Sequence, residues 1–367
     1  MKTVKIGIVG IGKISGIYLK NITNMFKEIE IAGVCDLIRE RAEEAVEEYS
    51  IPKLYKDMHE LFADPEVDIV LNLTRPYEHY EVSKAALEAG KYVYSEKPLG
   101  ATLDEGKKLV ALAKEKGLMI CGAPDTFMGA GIQTCRKLIE GGFIGQPVGA
   151  SGFFVCRGHE RWHPDPEFYY KFGGGPVLDM GPYYLTAMMN LLGGINTVSA
   201  MAKKSFDQRT ITSEPKFGNI IDVDVTTYVT GSMMFDCGAI GTFFTTFDVW
   251  DSQVPRIEIY GTEGTLSVPD PNIFGGTPKL LRPNGEFTEI PLSFNYAENS
   301  RGLGVADLAK AITTGRRPRA SMEQYYHALE VMMAFQKSSD EGKHIAIESK
   351  YTPEKPMVYS QLTGVLD

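Results

Sequence analysis

Short apolar runs alternate with amphipathic stretches over the first third of the chain. Runs at 4–9, 29–34, 68–73, 92–95 and 119–121 read as β-strands. Between them, Ile14, Ile17, Tyr18, Ile22 and Met25 recur at helical spacing, as do Val82, Ala85, Ala86 and Ala89, and Leu109, Leu112 and Ala113. Strands separated by one-sided helices predict βαβ units, and hence a doubly wound parallel sheet of Rossmann type. After Gly122 the rhythm changes. A helix over 131–140 is followed by strands at 148–154, 198–202, 223–229, 239–247, 256–260 and 265–268, the last two joined by the tight turn Gly261-Thr262-Glu263-Gly264. Strands in succession without helices between them predict a second, α+β unit with a largely antiparallel sheet. Helices at 303–314 and 322–338 and a tail from Lys350 complete the pattern. The expected division falls between units at 1–123 and 124–367.

Composition narrows the class. The chain has 367 residues, long enough for two cores, and a formal net charge of −9, which opposes binding to a polyanion and sets nucleic acid aside as a partner. The five cysteines are odd in number and contain no C-x-x-C pair, as expected for reduced thiols in the cytoplasm. No apolar run is long enough for a membrane span and no export signal opens the sequence, so neither a membrane nor secretion is expected.

The chemistry concentrates in three ordered motifs. Gly10-Ile11-Gly12-Lys13-Ile14-Ser15-Gly16 lies between a strand and a helix, where glycines let a pyrophosphate approach backbone N–H groups at the helix start; Ser15 displaces the third glycine. Asp36 ends the second strand, where a carboxylate accepts from ribose hydroxyls and repels a 2′-phosphate. NAD is therefore expected, with NADP left open by Arg39 and Arg41. Glu96-Lys97-Pro98 follows the fourth strand, and a glycine triplet, Gly173 to Gly175, leads through Pro176-Val177-Leu178 to Asp179 and Met180-Gly181. Asp179 and Tyr183, four apart on a helix, share one face.

On these motifs the chain resembles the glucose-fructose oxidoreductase, inositol dehydrogenase and MocA-like family of NAD(P)-dependent oxidoreductases. The resemblance implies hydride transfer between nicotinamide and a hydroxyl-bearing carbon of a sugar, sugar acid or cyclitol, by a homodimer or homotetramer, with 1–123 as the dinucleotide-binding Rossmann unit and 124–367 as the substrate-binding and oligomerisation unit. It places Gly10, Gly12, Lys13, Ile14, Asp36, Thr74, Arg75, Pro76, His79, Glu96 and Lys97 at the cofactor, and Lys97, Asp179 and Tyr183 at the chemistry. Position 183 is often histidine in the inositol dehydrogenase branch, whereas relatives of the dihydrodiol dehydrogenase type carry tyrosine there. Proton transfer is expected to be shared by Lys97 and Tyr183, with neighbouring positive charge depressing the lysine pKa and Asp179 orienting the sugar. Arg157, His159, Arg161, Trp162 and His163 form a basic, aromatic loop suited to a polyol that carries an anionic group, and Asp125 at the crossing between units is a further substrate candidate. His159 and His163 are four apart but lie in a proline-containing segment without thiolate partners, so no metal is expected. Arg316, Arg317 and Arg319 read as a solvated turn. Two other readings stay open: chemistry on a retained cofactor, as aldose-aldose exchange or NAD-assisted glycoside cleavage, and a non-catalytic cofactor-sensing regulator.

Overall fold

The computed structural model describes residues 3–359 and 363–367. The first half runs β1 Val4–Val9, α1 Ser15–Asn24, β2 Ile29–Cys35, α2 Arg39–Tyr49, α3 Met58–Ala63, β3 Ile69–Asn72, α4 His79–Glu88, β4 Tyr92–Ser95, α5 Leu103–Lys116 and β5 Ile120–Gly122. All five strands are parallel, in the order β2-β1-β3-β4-β5. Such a sheet is covered on both faces, which is why its strands read as unbroken apolar runs; every residue of β3 is buried. The order reverses between β1 and β3, so a crevice is expected outside their carboxyl ends.

The second half contains α6 Ala130–Glu140, β6 Pro147–Val155, α7 Pro176–Leu192, β7 Ile195–Lys203, β8 Gln208–Thr210, β9 Ile220–Asp222, β10 Tyr228–Phe235, β11 Ile240–Thr246, β12 Ile257–Gly261, β13 Gly264–Val268, β14 Lys279–Leu281, β15 Thr288–Glu289, α8 Leu303–Thr314, α9 Met322–Glu341 and β16 Ile345–Ala346. Nine strands form one sheet, ordered β15-β14-β13-β12-β6-β11-β10-β7-β16, antiparallel except where β6 and β11 run together. The strand expected at 223–229 divides. Residues 220–222 pair with β8 and Val223 packs into a small separate cluster with Tyr170, Ile211, Ile221 and Phe247, while ladder pairing resumes only at Tyr228. That cluster lies beneath the loop that carries much of the candidate site.

Helix α7 is buried along most of its length and packs on the nine-stranded sheet, α8 returns to the first half against β4 and β5, and α9 bridges the halves, lying on β7 and α7 on one side and on α5 and β5 on the other. A Cβ at Gly122 would fall 2.1 Å from the Tyr325 ring, so glycine at the end of β5 is what admits this α9 side chain. The Tyr325 hydroxyl then donates to the Glu96 carbonyl at 2.5 Å, bracing the turn that carries Lys97 from below. On its other side the turn enters α5 through a capping box of Thr102 and Glu105, an arrangement of a kind worth about 1 kcal/mol.

The arginine turn is solvated only at Arg317. Arg319 is buried and paired with both Asp307, itself fully buried in α8, and Asp367; a carboxylate held without water needs cations, and Arg316 supplies a second.

Candidate active site

Each chemistry-bearing segment of the first half leaves the carboxyl end of a strand. Gly10 follows β1 with φ +95°, and a Cβ there would lie 2.9 Å from the Leu73 carbonyl, so only glycine fits between β1 and β3. Gly12 faces open space, and α1 begins without a side-chain cap; the Ser15 N–H turns back to the Gly12 carbonyl, and the N–H groups that follow it in the first turn have no side-chain acceptor. The Ser15 hydroxyl donates to the Gly12 carbonyl at 2.7 Å, closing the loop without the missing glycine. An open, uncapped helix start beside glycine fits the pyrophosphate of a dinucleotide.

Asp36 is tied inward. Its two oxygens accept from the backbone N–H of Ile11 at 2.5 Å and of Ile38 at 2.7 Å, which holds the glycine loop to the end of β2. Each oxygen keeps a second lone pair for a ribose hydroxyl. Leu37 and Ile38 beside it are exposed apolar groups, as is Tyr77 after β3.

Beyond β3, Thr74 donates to the buried Asn72 side chain at 2.6 Å, and Arg75 reaches out to Asp165 of the second half at 3.0 Å. Pro76 lies in the same exposed turn. His79, expected beside the cofactor, is instead buried. Its ring nitrogens lie 2.8 Å from the Pro98 carbonyl and 3.1 Å from that of Thr74, between the turn after β3 and the turn after β4. Burial lowers its pKa, and the neutral ring donates to one of the two carbonyls.

At the Glu96-Lys97-Pro98 turn, Glu96 accepts from the Tyr18 hydroxyl at 2.8 Å and does not reach the surface. Lys97 crosses to the second half, where its Nζ donates to the Asp179 carbonyl at 2.7 Å and to Asp179 Oδ1 at 2.8 Å. The same ammonium lies 5.3 Å from the centre of the Tyr183 ring. Asp179 and Tyr183 thus do meet one group, as their spacing on α7 requires. The helix starts at Pro176 after Gly175, whose φ is +88°.

The electrostatics correct one expectation. Burial pushes the Lys97 pKa down, but the charges of Asp179, Tyr183 and Glu96 outweigh it, and the net shift is upward. A carboxylate, not a cation, is the nearest charge, so the resting lysine is an ammonium. Burial pushes Asp179 up, and Lys97 and His159 more than reverse this, holding it below the usual carboxylate range. Burial raises the Tyr183 phenol, and the opposing pull of Lys97 and Arg301 does not cancel it.

Two partners lie outside the expected set. His159 Nε2 sits 2.8 Å from Asp179 Oδ2, and the Arg301 guanidinium lies against the Tyr183 phenol. His159 was legible as a member of the basic, aromatic loop and as one of two histidines four apart, but not as a partner of Asp179, and Arg301 carried no signal because it is far from Tyr183 along the chain.

Of the remaining candidates, Asp125 is buried and its Oδ2 accepts from the N–H groups of Gly302 and Gly304, capping the start of α8. It is a packing group, not one open to substrate. Trp162 is exposed, with Lys13 Nζ 4.7 Å over its ring, whereas His163 accepts from the Asp165 N–H and packs on Phe168 and Tyr169. Arg157 and Arg161 stack on one indole, that of Trp250, at 4.9 and 5.1 Å, and Arg157 Nη1 has no hydrogen-bond partner among the described residues.

Comparison with known proteins accords with this geometry. Residues 4–122 match the model of an oxidoreductase family with an NAD-binding Rossmann fold, and residues 132–267 match the GFO/IDH/MocA C-terminal domain. The chain belongs to the GFO/IDH/MocA oxidoreductase family. Among its relatives are the myo-inositol 2-dehydrogenase of Thermotoga maritima, 26% identical over 94% of this chain and 98% of that protein, and the scyllo-inositol 2-dehydrogenase (NAD(+)) of Bacillus subtilis, 28% identical over 95% and 97%. A solved levoglucosan dehydrogenase in complex with NADH and levoglucosan shares the fold, with a TM-score of 0.81 and 20% identity over 95% of this chain and 100% of that one. Among the described residues no helix is long and apolar enough to cross a membrane.

Proposed function

We propose that this oxidoreductase moves hydride between NAD and a hydroxyl-bearing carbon of a sugar, sugar acid or cyclitol, with Lys97 handling the proton. One observation carries the reading: a Lys97 ammonium held 2.8 Å from Asp179 at the carboxyl edge of a sheet whose β1 opens into an uncapped glycine loop. Whole-length likeness to two inositol dehydrogenases supports the substrate class.

Bound nicotinamide supplies the hydride acceptor or donor. The chain's part is the proton at Lys97 Nζ. In the reducing direction Nζ gives its proton to the carbonyl oxygen, and in the oxidising direction a neutral Nζ takes the proton of the hydroxyl. Asp179 aims the amine, and Tyr183 lays its ring over it while its phenol rests on Arg301. Because the lysine pKa is raised, oxidation is expected to gain with rising pH and reduction to lose. Gly10, Gly12, Lys13, Ile14 and Asp36 would hold pyrophosphate and ribose, with Thr74, Arg75, Pro76 and Glu96 bordering the nicotinamide end. Leu37 and Ile38 offer an apolar rest for adenine.

We assign the dinucleotide to residues 1–123 and the substrate to 124–367, with Arg157 and Arg161 on Trp250 as a subsite for an anionic group, near the exposed Trp162. The open face of the nine-stranded sheet exposes Met201, Met234 and Ile240, which suits a second copy of the chain in a homodimer or homotetramer. All five cysteines are free thiols, which fits a cytoplasmic protein. NAD reduction with matched neutral and acidic sugars and with inositols tests the reading; no turnover on any of them, with added NAD or with cofactor that survives purification, ends it. Light scattering that finds a monomer ends the assembly proposal.

A further inference from the structure

We infer that Trp162 and His159 are positioning residues: the Trp162 indole decides which ring nitrogen of His159 carries the proton, and that N–H holds Asp179 in line with Lys97. The inference rests on the proposed function for its catalytic consequence, though not for its geometry.

Trp162 Nε1 lies 3.2 Å from His159 Nδ1. An indole nitrogen only donates, so Nδ1 must accept and the proton of the neutral ring resides on Nε2. Nε2 is 2.8 Å from Asp179 Oδ2, while Asp179 Oδ1 is 2.8 Å from Lys97 Nζ. Each carboxylate oxygen therefore has its own donor, one from each side, and the plane of the group is fixed. The opposite tautomer would set two N–H groups against each other at Trp162 and a lone pair against the Asp179 carboxylate.

The ring has little room to swing. His159 lies against Tyr169 and Phe247, with ring centres 4.4 and 4.7 Å away, and its backbone carbonyl accepts from the Trp162 and His163 amides, making one tight turn of the loop. Trp162 is itself exposed, but Lys13 from the glycine loop covers its face at 4.7 Å. The loop is also fastened to the first half by the Arg75–Asp165 pair. The line Trp162, His159, Asp179, Lys97 thus begins beside the dinucleotide loop and ends at the amine. At metal centres an outer partner that orients a ligating side chain is worth about 10–100-fold, and that sets the scale expected here.

The test uses the full-length protein with nitrogen-labelled histidine, His159 being assigned by the signal lost in His159→Gln. Wild type is expected to give the Nε2–H tautomer for this ring, and Trp162→Phe a mixture of tautomers. In turnover, His159→Leu should lower kcat by ~10–100-fold, and His159→Gln, whose amide again offers a donor, should recover most of it; NADH affinity measured by fluorescence should change less than about twofold in all three. An Nδ1–H tautomer in the wild type, or equal kcat for His159→Gln and His159→Leu, overturns the inference. Should the His159 variants fail to fold, the tautomers of wild type and Trp162→Phe decide it. Should no polyol be turned over, the proposed function falls while the tautomer still reports on the indole–imidazole contact.

Discussion

Asp125 and Asp179 are both carboxylates enclosed between the two sheets, and the structure puts them to opposite uses. Asp179 receives an ammonium on one oxygen and an imidazole N–H on the other, and stays ionised in spite of burial. Asp125 receives two backbone amides at the start of α8, with Arg301 only nearby, and burial pushes its pKa up to about 6. A buried carboxylate that meets a full charge stays ionised, and one that meets mainly backbone dipoles is pushed toward its neutral form.

Removing the cation should erase the difference most completely. Lys97→Met is expected to lower turnover by ~10²–10⁴-fold, because the proton loses its carrier, and to leave Asp179 buried with His159 as its remaining partner, so that its pKa rises. Steady-state kinetics with a nuclear magnetic resonance titration of Asp179 checks both; an unchanged rate ends the assignment of Lys97. Asp179→Asn should cost roughly 10–100-fold in turnover, in the range seen when a group that orients a reacting residue is lost. Its second mark is directional. With the carboxylate gone, burial prevails at Lys97, its pKa falls, and the pH at which oxidation reaches half its plateau moves down. A midpoint that stays in place would mean that another group titrates there.

Tyr183→Phe separates the phenol from the ring. Since the face of the ring, not its hydroxyl, lies over Lys97, kcat should fall less than about tenfold, below the usual yield of a true proton donor. A loss of a thousandfold would return Tyr183 to a share in the proton transfer.

The smallest effect on turnover is expected at Asp125. Its folded pKa of about 6 exceeds the ordinary 3.8, so its contribution to stability is complete below pH 3.8 and is lost as pH rises through 6. Asp125→Asn keeps an acceptor for the two amides and removes that loss. Denaturation at pH 4 and pH 7 should find the variant more stable than wild type by up to roughly 2–3 kcal/mol at the higher pH only, with kcat unchanged. Lower stability at pH 7 would make the Arg301 attraction, and not burial, the governing influence.

Periodicity and motif order determined a good deal of this protein. The five parallel strands, the change of rhythm after Gly122, the glycine loop, and the placing of Asp179 and Tyr183 on one helical face all follow from spacing within short stretches, because backbone geometry repeats locally. The tertiary structure alone decided which side chains meet across the halves. It turned His79 inward to two carbonyls, made Asp125 a cap, buried Arg319, set Arg301 on Tyr183, and placed His159 between Trp162 and Asp179. It also reversed the expected direction of the Lys97 pKa, since that depends on the charge lying nearest in space. Local sequence carries the register of an element, whereas burial and electrostatic partners are properties of residues remote in the chain, and no pattern along it records them.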